Sequence, residues 1–192
     1  MRSTTLALMF ALAMIPATCA TNDLVEGNPD SSIKVTIYED MQCGYCQAFR
    51  TMLDDKLLPR YGSKVAFIHR DFPLGRHEWA RSAAMAARWV FEHSPRLSVV
   101  FRRELLAEQE HITPAGLRSW VSDFAARNKL SDTGIVAALT DQRLAAAVDQ
   151  DIQLAAARGI KKLPTVFAAG KVFSETIVYD DVAKALDDAL TR

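Results

Sequence analysis

Hydrophobic and polar positions change period along the chain, and the changes mark the elements. Ile33-Lys34-Val35-Thr36-Ile37-Tyr38 alternates and is rich in β-branched residues, which predicts a strand. From Cys43 onward the apolar positions Cys46, Phe49, Leu53 and Leu57 fall at helical spacing. Pro59 and Gly62 are expected to close that helix near Leu58. Val65-Ala66-Phe67-Ile68-His69 predicts a second strand, and the three elements together form a βαβ crossover with parallel strands.

Beyond this unit the pattern turns helical. Helices are predicted over Glu78–Glu92 and from Pro95 to about Glu108. Thr113-Pro114 reads as an N-cap with proline at the first helical position, opening a helix that runs to about Asn128. Ser131 caps a short helix and Asp141 a longer one that ends near Gly159. Trp120 and Phe124, four apart, read as packing residues. A hairpin follows: strand Thr165–Ala168, turn Ala169-Gly170, strand Lys171–Ser174. Tyr179–Leu190 is an amphipathic helix.

The N-terminus has a different pattern. Arg2 precedes an apolar core, Leu6–Ile15, that is broken by Pro16 and followed by the small residues around Cys19 and Ala20. This is the plan of a secretory signal peptide over residues 1–20, with cleavage expected after Ala20. The core is shorter than the about 20 residues that span a bilayer. An alternative is acylation of Cys19 as a lipid anchor. Thr21–Ser32 is polar, contains Gly27 and Pro29, and reads as a tail.

Composition narrows the function. The 192 residues suggest one domain, and Lys+Arg and Asp+Glu both total 23, so no basic excess points to a nucleic-acid partner. Cysteine is more informative. Removal of residues 1–20 would leave two, Cys43 and Cys46, spaced Cys-x-x-Cys. Structural zinc needs four ligands, and the four histidines are scattered. A bridge closing so short a loop removes little unfolded-state entropy, so stability alone is a poor reason for it. Placement supplies a better one. At a strand–helix junction, unpaired backbone N–H groups and the helix dipole lower the pKa of Cys43, to an expected value of roughly 5–7. Cys46 lies one turn along the same face and is expected to be the more buried. The pattern is an attacking thiol with a resolving thiol. Export suits such a pair, because disulfides persist outside the reducing cytosol.

Asp40-Met41-Gln42-Cys43-Gly44-Tyr45-Cys46 resembles the DsbA-like branch of the thioredoxin-like superfamily. Asp71-Phe72-Pro73-Leu74 followed by His77, and Gly159-Ile160 leading to Leu163-Pro164-Thr165-Val166-Phe167, resemble the same family, over about Ile33 to Leu190. The resemblance implies an α/β thioredoxin-like fold over residues 33–192, interrupted by a helical insertion at about 76–158. It implies a cis bond at Leu163-Pro164, with both residues binding substrate beside the cysteines, and no cofactor or metal. His77 is expected to anchor the next helix more than to act in catalysis. Expected partners are extracytoplasmic proteins with thiols or disulfides, and a membrane redox partner. Two departures concern reaction direction. The family's strong oxidant has histidine between its cysteines, whereas Gly44-Tyr45 is the dipeptide of the periplasmic disulfide isomerase. Leu163 stands where Thr or Val is common. The resemblance thus implies an oxidase or isomerase, with a periplasmic reductase or a non-catalytic thioredoxin-like binding module as alternatives.

Overall fold

A computed structural model describes residues 23–191. The signal-peptide reading, Cys19 included, lies outside these residues. Five strands form one sheet: β1 (Leu24–Gly27), β2 (Lys34–Glu39), β3 (Ala66–Asp71), β4 (Thr165–Ala168) and β5 (Lys171–Ser174). Their spatial order is β1-β3-β2-β4-β5, with β2 parallel to β3 and every other pairing antiparallel. Between β2 and β3 run α1 (Gly44–Met52), a π-helical turn (Leu53–Leu57) and α2 (Leu58–Tyr61). Five helices lie between β3 and β4: α3 (Ala80–His93), α4 (Pro95–Glu108), α5 (Leu117–Asn128), α6 (Asp132–Ala138) and α7 (Gln142–Ala157). The chain continues through the hairpin to α8 (Tyr179–Leu190).

Strand alternation sorts the side chains. Val35, Ile37, Phe67, Val166 and Ala168 join Phe49, Leu53, Leu57, Val182 and Leu186 in one apolar core beneath α1 and α8. Burying such a side chain contributes about 1.5–3 kcal/mol. A second core lies among α3 to α7 and reaches Tyr38, Met41, both cysteines and Leu163. The Cys43–Phe49 segment therefore sits where the two cores meet. Gly134 permits one close approach in the second core, since a Cβ there would stand 2.5 Å from the Trp89 ring.

The first core becomes ionic toward the carboxyl ends of β2 and β3. Register places Ile37 opposite His69 and Glu39 opposite Asp71, on the strand positions that continue Val35 and Phe67. His69 Nδ1 lies 2.8 Å from Glu39, and its Nε2 lies 2.9 Å from Glu26. Arg102 of α4 reaches Glu39 at 3.2 Å and Asp71 at 2.7 Å. Arg50 of α1 pairs with Glu26 and Asp54, and Arg88 of α3 binds Asp71 and Asp151. Asp151 of α7 also accepts the Asp71 N–H at 2.9 Å. Carboxylates and guanidiniums from three strands and from the helices packed on them thus tie the helices to the sheet.

Three expectations are corrected. Part of the polar stretch Thr21–Ser32 is strand β1, paired with β3, so the sheet begins before Ile33. Glu26 is buried there through its ions rather than through hydrocarbon. Gly27 ends the strand at φ +85°, where a Cβ would stand 2.4 Å from the Val65 carbonyl. Pro59 lies inside the helical run rather than closing it. Proline crowds the carbonyl four residues back and has no N–H, and the turn before it widens so that the Leu58 N–H reaches the Leu53 carbonyl. Thr113 does not open α5. Its hydroxyl accepts the Gly116 N–H at 3.0 Å, closing a turn, and the helix starts at Leu117.

Candidate active site

Cys43 occupies the N-cap position of α1 with extended backbone (φ −97°, ψ 119°). Its carbonyl accepts the Gln47 N–H at 3.1 Å, while its sulfur faces the first-turn donors that α1 leaves unpaired. The pKa of Cys43 is lowered to about 6. The largest cause is a hydrogen bond donated by the Cys46 thiol, assisted by the backbone N–H groups of Cys46 and Tyr45. Burial and the Asp40 carboxylate oppose it. Cys46 is fully buried, and burial pushes its thiol well above the ordinary range, as does donating to Cys43. Its sulfur accepts the Asp40 N–H at 3.4 Å. One turn of helix therefore holds a thiolate that forms near neutral pH and a thiol that keeps its proton.

The hairpin meets this pair from across the sheet. Pairing of β4 with β2 sets Thr165 opposite Tyr38. The Leu163–Pro164 bond is cis. The Leu163 carbonyl lies 3.9 Å from the Cys43 sulfur and accepts from its thiol. The Pro164 carbonyl accepts the Glu175 N–H at 3.0 Å, and Thr165 Oγ1 donates to the Lys162 carbonyl at 2.6 Å. Cys43, Cys46, Leu163 and Pro164, distant in sequence, are thus brought together.

Three further residues build the site. Asp40 is buried, and its backbone carbonyl accepts the Cys43 N–H at 3.2 Å. Its Oδ1 accepts the Gln42 N–H at 2.7 Å, a local turn in which an aspartate bonds two residues on. Its Oδ2 accepts the Leu74 N–H at 2.7 Å and lies 2.7 Å from His77 Nδ1. Gln42 Oε1 accepts the Trp79 N–H at 3.1 Å, at the start of α3. The sequence placed His77 as an anchor for the next helix. Its ring instead binds the carboxylate three residues before Cys43, and Gln42 holds the helix start. An acidic residue three positions before the first cysteine of the pair was the available signal.

Gly44 and Tyr45 are exposed above the pair, Tyr45 by 57%, so the sulfur is approached past a small residue and an aromatic ring. Among the described residues no group of three or more His, Cys, Asp or Glu side chains is placed to hold a metal ion, and no helix is long and apolar enough to cross a membrane.

Solved structures share this architecture. BdbD from Bacillus subtilis, in oxidised form, superposes with a TM-score of 0.80 at 20% identity, covering 89% of this chain and 94% of that one. The thiol-disulfide exchange protein alpha-DsbA2 from Wolbachia pipientis gives 0.75 at 19%, covering 88% of each chain. The catalytic domain of Proteus mirabilis ScsC gives 0.74 at 18%, covering 91% and 93%. A curated relative, the Na(+)/H(+) antiporter NhaA of Herminiimonas arsenicoxydans, is 28% identical over 150 residues. That match takes in 78% of this chain, and the chain spans only 22% of the antiporter's length. The family model described as Thioredoxin matches residues 20–188, from before β1 into α8 and across both halves of the site, and this chain belongs to that family.

Proposed function

We propose that this chain is an exported thiol–disulfide oxidoreductase that forms or isomerises disulfides in secreted proteins. The observation that carries the reading is the pairing, in one helical turn, of a Cys43 thiolate with a buried, protonated Cys46 beside the Leu163 carbonyl. One structural neighbour, alpha-DsbA2 from Wolbachia pipientis, is a thiol-disulfide exchange protein, which supports the same chemistry.

In oxidation, a substrate thiolate attacks Cys43 Sγ of the Cys43–Cys46 disulfide. That bond breaks, Cys46 leaves as a thiolate and takes up a proton, and a mixed disulfide forms. A second substrate thiolate attacks the substrate sulfur, and Cys43 leaves as a stabilised thiolate. The substrate loses two electrons and gains a disulfide, and the enzyme is left as a dithiol. A membrane redox partner accepts the two electrons to restore the disulfide. In isomerisation the reduced Cys43 attacks a substrate disulfide, and a substrate thiolate later displaces it with no net transfer. Leu163 and Pro164 offer backbone to an extended substrate segment, a contact indifferent to side-chain identity.

A stabilised thiolate favours the reduced form and makes the disulfide oxidising, so the potential should lie roughly between −120 and −230 mV. Cys43→Ser abolishes thiol exchange, and Cys46→Ser accumulates mixed disulfides with substrate. Insulin turnover and alkylation-trapped gels read these outcomes, and full activity of Cys43→Ser would overturn the assignment. Equilibration with glutathione measures the potential, and a value near −270 mV, that of thioredoxin, makes the protein a reductase instead. Mass spectrometry of the exported protein checks the expected start at Thr21 against a lipid-modified Cys19.

A further inference from the structure

Asp40 is an odd neighbour for a thiolate. A buried carboxylate this close opposes ionisation of Cys43, and its charge works against the first-turn donors of α1. A neutral side chain would spare the thiolate that cost. The carboxylate is nevertheless fully committed. Oδ1 takes the Gln42 N–H at 2.7 Å, and Oδ2 takes the Leu74 N–H and His77 Nδ1, each at 2.7 Å. Two segments meet on it. One is the turn carrying Cys43, and the other is the loop from Phe72 to Trp79 that leads into α3. The Phe72 N–H adds a bond to the Glu39 carbonyl at 2.8 Å, and the His77 N–H adds one to the Leu74 carbonyl at 2.9 Å. His77 is the one side chain among these partners that can carry positive charge, and its ring remains partly open to solvent while Asp40 is sealed.

We propose that His77 is a positioning residue: by binding the buried Asp40 carboxylate it holds the Cys43 turn in place and offsets the charge that opposes the Cys43 thiolate. The inference rests on the thiol-exchange reading and adds a determinant of its poise. Cys46 and Asp40 are the titratable side chains that act most on Cys43, and Glu39 acts on Cys46 from below. The cysteine sulfurs have no hydrogen bond to His77, and the bonded route from His77 to the Cys43 turn runs through Asp40. The direction follows from the charges. Loss of His77 leaves Asp40 less compensated, destabilises the Cys43 thiolate and favours the disulfide. Loss of the Asp40 charge does the opposite and makes the protein a stronger oxidant.

The test uses the full chain with His77→Ala, His77→Gln, Asp40→Asn and the double variant. Cys43 ionisation is followed by thiolate absorbance and alkylation rate, and the redox equilibrium by glutathione. His77→Ala is expected to shift the equilibrium several-fold toward the disulfide and raise the Cys43 pKa. Asp40→Asn is expected to shift it about tenfold the other way, which is about 30 mV for a two-electron couple. His77→Gln, whose amide still donates to Asp40, should restore the alkylation rate part-way. In the Asp40→Asn background, His77→Ala should change nothing further, because the coupling has lost its intermediary. Should His77→Ala fail to fold, His77→Gln alone and on Asp40→Asn gives the same cycle. Unchanged pKa and equilibrium in the His77 variants, or an equal His77 effect without the Asp40 charge, would overturn the proposal. An absence of wild-type exchange with protein substrates would instead overturn the function, since Cys43 ionisation is measured without a substrate.

Discussion

The same sheet face is sealed in two ways. Near the amino ends of β2 and β3, Val35, Ile37 and Phe67 meet α1 and α8 through hydrocarbon alone. Two residues further along the same strands, Glu39 and Asp71 meet Arg88 and Arg102 through ions, and His69 joins Glu39 to Glu26, the partner of Arg50. Both regions are dry, but their failure modes differ. An apolar interface loses about what is removed from it. An ionic one loses more, because each group has given up water and depends on its partners. Glu39 of the ionic half ends β2 immediately before Asp40, and its charge acts on Cys46, so this half also supports the strand end from which the thiol turn springs.

Breaking the ionic half should have the largest effect. Arg102→Met removes a partner that Glu39 and Asp71 share and leaves these two buried carboxylates short of positive charge, with only His69 and Arg88 remaining to them. The expected cost is about 3–5 kcal/mol, measured by urea unfolding with an unchanged slope. Arg102→Met combined with Glu39→Gln should recover part of that loss, which a purely steric account of Arg102 does not predict.

The pH dependence should belong to the ionic half alone. Burial by itself would lower the His69 pKa, but the Glu39 charge and the bonds to Glu26 and Glu39 outweigh it and hold the pKa above 6.5. His69 therefore contributes stability that is complete below its unfolded value and is lost as pH rises through the higher folded value. Glu26, Glu39 and Asp71 behave in the reverse sense. Despite burial, His69, Arg50, Arg88 and Arg102 hold these carboxyls below their usual range. Their contribution is complete above the ordinary carboxyl range of about 4 and is lost as pH falls below it. Unfolding free energy should thus fall on both sides of a plateau. His69→Gln should flatten the alkaline decline while leaving the acid decline in place, read by denaturant unfolding at stepped pH.

Trimming the apolar half should matter least. Ile37→Val removes one methylene from the packed face and should cost about 0.5–1.5 kcal/mol, with no dependence on pH between 5 and 9. A cost equal to that of Arg102→Met would erase the distinction between the two halves.

The local features of this protein were legible in its sequence because each has a short-range cause. Proline at the start of α4, Ser131 and Asp141 at the caps of α6 and α7, the glycine turn of the β4–β5 hairpin and the helical spacing after Cys43 all act within a few residues. So does the lowered pKa of Cys43, which comes mainly from the Cys46 thiol and from the backbone N–H groups of the same helical turn. What the chain could not declare locally is everything held by partners far away. β1 is a four-residue strand in a polar stretch, and Glu26 reads there as solvent-facing until Arg50 and His69 arrive from other elements. His77 reads as a helix anchor until the fold brings the loop after β3 against Asp40. The amino-acid order alone determined which cysteine stands at the helix N-terminus and where most of the helices and the hairpin lie, because hydrogen bonds and side-chain periodicity within one element decide those. Only the tertiary structure decided which charges are buried and that His77 meets the Asp40 carboxylate, because the free energy of a buried charge is set by partners that folding alone brings into contact.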